Sequence, residues 1–282
     1  MKDAKSSAGG LTGLFGKVGS VTSTVGKGIF NVASKVAAVS VAATTAGAAA
    51  VSALTTLAVN SYADYEQLVG GVETLYKDSA AKVQQYAADA YKTSGMTANE
   101  YMTTATSYAA ALVSSLGGDT EQAAELSNMA VSDMADNWNK FGSSADSVQA
   151  AYNGFAKGQF QLLDNLKLGY GGTKEEMERL LDDANKLNAA QGKYTDYSID
   201  SFSDIILAIH DIQTEYDITG TTAKEASTTI SGSLSAAKAA WANLVTGVAD
   251  DNANFGQLIS NFVDSATTAA SNIIPRVEVA LN

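Results

Sequence analysis

Ser94-Gly-Met-Thr-Ala-Asn-Glu-Tyr101 decides the fold class of this chain, because in a few residues it closes one helix and opens the next. Gly95 can adopt the left-handed conformation that ends a helix without a Cβ penalty. Thr97 and Glu100 stand three apart, the capping-box spacing in which each side chain satisfies the other's exposed backbone N–H. The same punctuation recurs downstream. Asp119-Thr-Glu-Gln122 follows Gly117 and Gly118, Thr173-Lys-Glu-Glu176 follows Gly171 and Gly172, and Thr222-Ala-Lys-Glu225 follows Gly220. Each pairing predicts a helix start with Thr97, Asp119, Thr173 or Thr222 as its cap.

Between these signals the apolar residues recur with a helical period. Tyr62, Tyr65, Leu68, Val69, Val72, Leu75 and Tyr76 form one stripe, and Val83, Tyr86, Ala90 and Tyr91 continue it toward Gly95. Tyr101, Ala105, Tyr108, Leu112 and Leu116 form another, as do Leu126, Met129, Met134, Trp138 and Phe141, then Val148, Ala151, Tyr152 and Phe155. Met177, Leu180, Leu181, Ala184 and Leu187 follow, then Phe202, Ile205, Ile206, Ile209 and Ile212, and then Ile230, Leu234, Trp241, Leu244 and Val248. The last stripe, in 255–274, carries Leu258, Ile259, Phe262 and Val263. A single proline, Pro275, in 282 residues argues against an all-β chain, which spends prolines on turns and edges. The predicted class is all-α: a multi-helix bundle with an Ala/Gly-rich N-terminal helical arm and a helical C-terminal extension.

Charge divides the chain unevenly. Lys2, Lys5, Lys17, Lys27 and Lys35 against Asp3 give residues 1–61 a net charge of +4; the whole chain carries −12, which leaves −16 for 62–282. Such an acidic body predicts no sequence-specific nucleic-acid binding. Four segments are expected: a Gly/Lys-containing head over 1–35, an uncharged apolar helix over 36–61, an all-α core over 62–251 and a helical extension over 252–282. The uncharged run Val36–Val59 is long enough to cross a hydrocarbon core of about 30 Å. Its alanines, threonines and serines make it only weakly apolar, so it is a candidate transmembrane segment whose entry into a bilayer is conditional. The start of the chain lacks the short apolar core of a signal peptide, and no secretory cleavage is expected. With no cysteine there is no disulfide, thiolate metal site or thiol nucleophile.

The search for chemistry assigns no catalytic, cofactor-binding or metal-ligating residue. His210, the only histidine, lies in the apolar stripe Ile205-Ile-Leu-Ala-Ile-His-Asp-Ile212 with no evident partner and reads as a packing histidine. Asp182 with Asp183, and Asp250 with Asp251, are adjacent pairs that diverge around a helix. Gly169-Tyr-Gly-Gly-Thr-Lys174 lacks the Gly-Lys-Ser/Thr order of a phosphate loop and reads as a turn ending in a helix cap. No enzymatic activity and no cofactor are expected.

A family resemblance extends this reading. Val69-Gly-Gly-Val-Glu-Thr-Leu-Tyr76, Tyr86-Ala-Ala-Asp-Ala-Tyr-Lys-Thr-Ser-Gly-Met96, Ser115-Leu-Gly-Gly-Asp-Thr120, Met134-Ala-Asp-Asn137, Gly154-Phe-Ala-Lys157 and Leu163-Asp-Asn-Leu-Lys-Leu-Gly-Tyr-Gly-Gly-Thr-Lys174 resemble the tail tape measure proteins of long-tailed phages and prophages. Ile218-Thr-Gly-Thr-Thr-Ala-Lys-Glu225, Ile230-Ser-Gly-Ser233 and Trp241-Ala-Asn-Leu-Val-Thr-Gly247 continue the match in order, so that it covers roughly Tyr62 to Arg276. The resemblance implies a structural protein that sets tail length inside the growing tube and leaves ahead of the DNA at infection. It implies tail tube protein, tail assembly chaperones and distal tail or tip proteins as partners, a homo-oligomer in the tail lumen, and contact with the host membrane. It brings no catalytic residues. Family members are commonly much longer, and a fully helical chain of this length reaches only on the order of 420 Å, so a fragment or an unusually short tail is expected. A pore-forming or membrane-active helical protein is the alternative that residues 1–60 alone suggest.

Overall fold

The computed structural model describes residues 46–281, apart from 248, 251 and 252, with side chains from 57 to 275. Every regular element among the described residues is helical, and the chain is all-α. Helix α1 spans Ala46–Tyr76, α2 Ala80–Thr93, α3 Ala98–Ser115, α4 Thr120–Phe141 and α5 Ala145–Phe155. After a short 3-10 turn at Leu163–Leu166 come α6 (Lys174–Ala190), α7 (Phe202–Glu215), α8 (Thr221–Thr228), α9 (Ile230–Gly247) and α10 (Phe255–Leu281). The head at 1–35 and the first part of the apolar run, 36–45, lie outside the described residues.

Three of the four sequence-read caps form locally. Thr97 accepts from the Glu100 N–H at 3.1 Å, and Glu100 returns a bond to the Thr97 N–H at 2.8 Å. Asp119 accepts from the N–H groups of both Glu121 and Gln122. Thr173 accepts from Glu176, whose own carboxylate turns away to the Gly171 N–H and Arg179 instead of closing a box. The fourth expectation is corrected. Thr222 lies inside α8, which begins at Thr221 after Gly220 in the left-handed conformation (φ 84°), and no side chain of its own segment caps it.

One further expectation is narrowed. The candidate transmembrane run over 36–59 lies partly outside the described residues, and among the described residues no helix is long and apolar enough to cross a membrane. The apolar residues from Ala46 onward belong to a helix that runs without a break through the first aromatic stripe to Tyr76. Pro275 lies within α10, where it removes one N–H from the ladder near the helix end.

The core divides in two. A large cluster gathers the buried faces of α1 to α7 and ends at Ile218; Tyr76, Leu112, Met134, Tyr152, Leu180 and Ile209 lie at its centre with no appreciable exposure. Among the described residues none of α8, α9 or α10 belongs to it. A small satellite, Tyr91 with Ala239 and Ala240 and with Phe262 packed against them, lies where α9 and α10 meet α2. Of the expected stripe, Leu244 is buried and Val248 lies outside the described residues, whereas Ile230, Leu234 and Trp241 are out of phase with this interface. Ile230 and Leu234 are 40% exposed, and Trp241 is half-buried against the Phe262 ring at 5.2 Å. The buried face of α9 is instead Ser233, Ala236, Ala237, Ala239 and Ala240 with Leu244 and Val245. Small side chains let helix backbones approach closely, so alanine outcompetes leucine at this contact.

Candidate functional site

Two features stand out, one on the buried face of α4 and one along the seam between the core helices and α8 and α9. The first is a stripe of polar side chains at Asp133, Asp136 and Asn137, spaced one turn apart and therefore on one face of the helix. That face is buried: the three are 1%, 2% and 0% exposed. Each reaches a different element. Asp133 accepts from His210 of α7, whose Nδ1 lies 3.0 Å from both carboxylate oxygens. Asp136 accepts from the backbone N–H groups of Gly220 and Thr222, at 2.6 and 2.7 Å. Asn137 donates to the carbonyl of Leu166 at 2.9 Å. Asn139, at the stripe's edge, donates to the Thr222 hydroxyl at 2.7 Å.

His210 is thus not the unpartnered packing histidine that the sequence suggests. Its partner lies 77 positions earlier in the chain. The signal lay in α4 rather than α7, because Ser127, Asp133 and Asn137 share the buried face with Ala130 and Met134. Polar residues on an apolar stripe require partners.

The electrostatics of this stripe are set by burial. Desolvation raises the Asp133 carboxyl to about 6, against the pull of the His210 hydrogen bond. The Asp136 carboxyl is also raised by desolvation, which the N–H groups of Thr222 and Gly220 only partly offset. His210 is raised by its hydrogen bond to Asp133, with Asp211 and Asp136 adding to the effect. The nearest lysine on α4, Lys140, is bonded to the Asp217 carbonyl. Tyr152 and Gln213 lie fully buried beside the stripe and face one another without a hydrogen bond of ordinary geometry.

The second feature is an open cleft of about 800 Å³ between α1, α3 and α5 on one side and α8 and α9 on the other. Asp64, Glu100, Asp146 and Glu225 line it, and among the described residues no lysine or arginine does. None of Asp133, Asp136 and His210 reaches it; Asn139 and Thr222 do, so the stripe touches the cleft only at its rim.

The remaining sequence candidates are structural. Asp182 pairs with Lys186 at 2.5 Å, and Asp183 accepts from the Tyr170 hydroxyl at 3.1 Å. Asp251 lies outside the described residues. In the Gly169–Lys174 turn the Gly171 N–H is spent on Glu176, and Arg179 covers the Tyr170 ring at 4.3 Å while donating to the Gly169 carbonyl. Gly172 packs so closely on the Gln161 carbonyl that a Cβ there would come within 2.3 Å of its oxygen. Among the described residues no group of histidine, aspartate and glutamate could hold a metal ion.

No protein family, no curated protein and no solved structure matches this chain.

Proposed function

We propose that this chain is a structural component of a phage or prophage tail, of the tape measure kind. The observation that carries the reading is the run of sequence blocks from Val69 to Gly247, which resemble that family in the family's order. The all-α architecture is compatible with it. In this reading the chain acts with tail tube, chaperone and tip proteins in the tail lumen, and its role is mechanical rather than catalytic. The longest helix among the described residues, α1 with 31 residues, covers only roughly 46 Å. The measuring length therefore belongs to an extended form of the chain or to sequence flanking the bundle.

Electron microscopy of tails from a phage carrying in-frame deletions in this gene tests the reading. A deletion of n residues from an extended helical part should shorten the tail by about 1.5n Å. Deletions inside the packed bundle should abolish tails instead. Tails of unchanged length across a deletion series would overturn the proposal.

A membrane-active protein is the second reading, favoured by Leu57 and Val59, which α1 exposes at 55% and 53% within an uncharged stretch. Dye release from anionic vesicles by the purified chain alone separates the two, since a tail component has no reason to permeabilise lipid unaided.

A further inference from the structure

We propose that α8, α9 and α10 form a detachable arm that docks on α1, α2 and α4, swings about the turn Tyr216–Gly220, and is latched by Asp136. The inference does not depend on the tail reading.

The arm contributes nothing to the large hydrophobic cluster, whose last member in the chain is Ile218. It packs instead on α1, α2 and α4 through alanines and the satellite around Tyr91. Alanine buries little apolar area per residue, so the docked state gains little from the hydrophobic effect. Polar contacts supply the specificity at both ends of the seam. At one end Ser61 and Thr246 hydroxyls meet at 2.6 Å, and the Ala98 N–H donates to Asn243 at 2.9 Å. At the other end stands the Asp136 carboxylate, receiving the N–H groups of Gly220 and Thr222. Asp136 thereby caps a helix that has no side-chain cap of its own, and it does so from across the seam.

The hinge is built for rotation. Asp217 (φ 53°) and Gly220 (φ 84°) both occupy the left-handed region, and Ile218 between them is 1% exposed. Ile218 pins the core side of the turn while the chain beyond it leaves the core. The acidic cleft lies along the same seam, with Asp64, Glu100 and Asp146 on the core side and Glu225 on the arm. Like charges facing across a gap oppose its closure. A closed state held by one buried carboxylate, a few neutral hydrogen bonds and a mostly alanine face, against this repulsion, sits at the low-stability end of the fold. Release would uncover Tyr91 and the alanine face of α9.

Native-state hydrogen exchange on the intact chain tests this. In the unaltered protein the α9 amides from Ser233 to Val245 should exchange through an opening that leaves the α7 amides from Ile205 to Ile212 protected. Asp136→Ala should speed α8 and α9 exchange by about tenfold, the factor expected for one lost cap, while α7 changes much less. A Ser61→Cys/Thr246→Cys disulfide, the only one in a chain without cysteines, should slow α9 exchange toward that of α7 and reverse on reduction. Exchange of α7 and α9 as one cooperative unit in the unaltered protein would overturn the proposal, and that measurement stands even if Asp136→Ala fails to fold. Equal acceleration of α7 and α9 by Asp136→Ala would overturn the latch.

Discussion

His210 reaches across 77 positions to share its Nδ1–H between both oxygens of Asp133, and the two are unequal partners: the carboxylate side chain is 1% exposed, the imidazole 27%. The buried carboxylate is the costly member, and the histidine compensates its charge. Removing the histidine strands that charge. His210→Ala is therefore expected to destabilise the chain by about 3 kcal/mol at pH 7. Urea midpoints decide it, with a His210→Ala/Asp133→Asn double variant expected to recover most of the loss; a double variant no more stable than the single one would show that Asp133 is not the group affected.

The same pair sets a pH dependence in the unaltered protein. Asp133 folds with its pKa raised from the ordinary value to about 6, so its contribution favours folding at low pH and is lost as pH climbs through 6. His210 is raised as well, so its contribution is complete below its ordinary value and disappears as pH rises through the folded one. Asp136 is shifted the same way. On the acid side Glu176, held down to about 2 by Arg179, acts in the opposite sense and loses its contribution as pH falls through that value. The melting temperature should be highest near pH 4 and fall by about 5 °C or more by pH 8. A calorimetric profile flat from pH 5 to 8 would contradict the assignment of these groups as buried.

Helix caps separate local from tertiary control. Thr97→Ala and Thr173→Ala each remove one side-chain acceptor at a helix start and should cost about 1 kcal/mol. Thr222→Ala should act differently, because the Thr222 hydroxyl caps nothing in its own segment and instead receives the Asn139 amide and bonds the Asp136 carboxylate at the arm seam. Its effect should appear as weaker protection of α8 and should shrink in an Asn139→Ala background. An undiminished effect in that background would mean that the Asn139 contact carries none of it.

These contrasts show where the sequence was readable. The caps at Thr97, Asp119 and Thr173 were legible because donor and acceptor lie within three residues, so spacing alone determines the contact. The α8 start was misread because its carboxylate comes from residue 136, a pairing that no local pattern encodes. The break after Tyr76 was not visible either: Lys77–Ser79 forms a 3-10 turn with Lys77 at φ 48°, without a glycine or proline to announce it. Along α9 the large apolar residues drew the predicted stripe, whereas the alanines make the interface. The polar stripe on α4 was present in the sequence as Asp133, Asp136 and Asn137. Only its partners on α7, on the 216–220 turn and on the Leu163–Leu166 turn made it recognisable as a buried network.

Close backbone approaches give a sharper test than side-chain burial. A Cβ at Gly232 would meet the Glu225 backbone at 2.4 Å, and one at Gly172 the Gln161 carbonyl oxygen at 2.3 Å. Neither neighbour is the flexible end of a side chain, so the backbone itself must shift. Gly172→Ala and Gly232→Ala are each expected to cost about 2 kcal/mol or more, whereas Gly70→Ala, with nothing within 4 Å in a helix interior, should stabilise by roughly 0.5 to 1 kcal/mol. Thermal melts of the three variants should fall on opposite sides of the unaltered protein.

Substitutions in the two hydrophobic clusters should differ in size and in what they disturb. Leu112 is wholly buried among the α1 to α7 faces, and Leu112→Ala should cost about 2 to 5 kcal/mol, lowering the protection of every core helix together. Trp241 is half-buried and packs on Phe262 within the arm, so Trp241→Ala loses part of its apolar burial and one ring pair, about 2 kcal/mol in all. That loss should weaken α9 and α10 while α7 keeps its protection. The two tryptophans also separate the regions optically, since Trp138 packs against the large cluster and Trp241 lies in the arm. In denaturant, fluorescence from a Trp138→Phe protein should report the arm, and fluorescence from a Trp241→Phe protein the core, with the arm losing its signal at the lower concentration. A larger penalty for Trp241→Ala than for Leu112→Ala would place Trp241 in the main core and contradict the division.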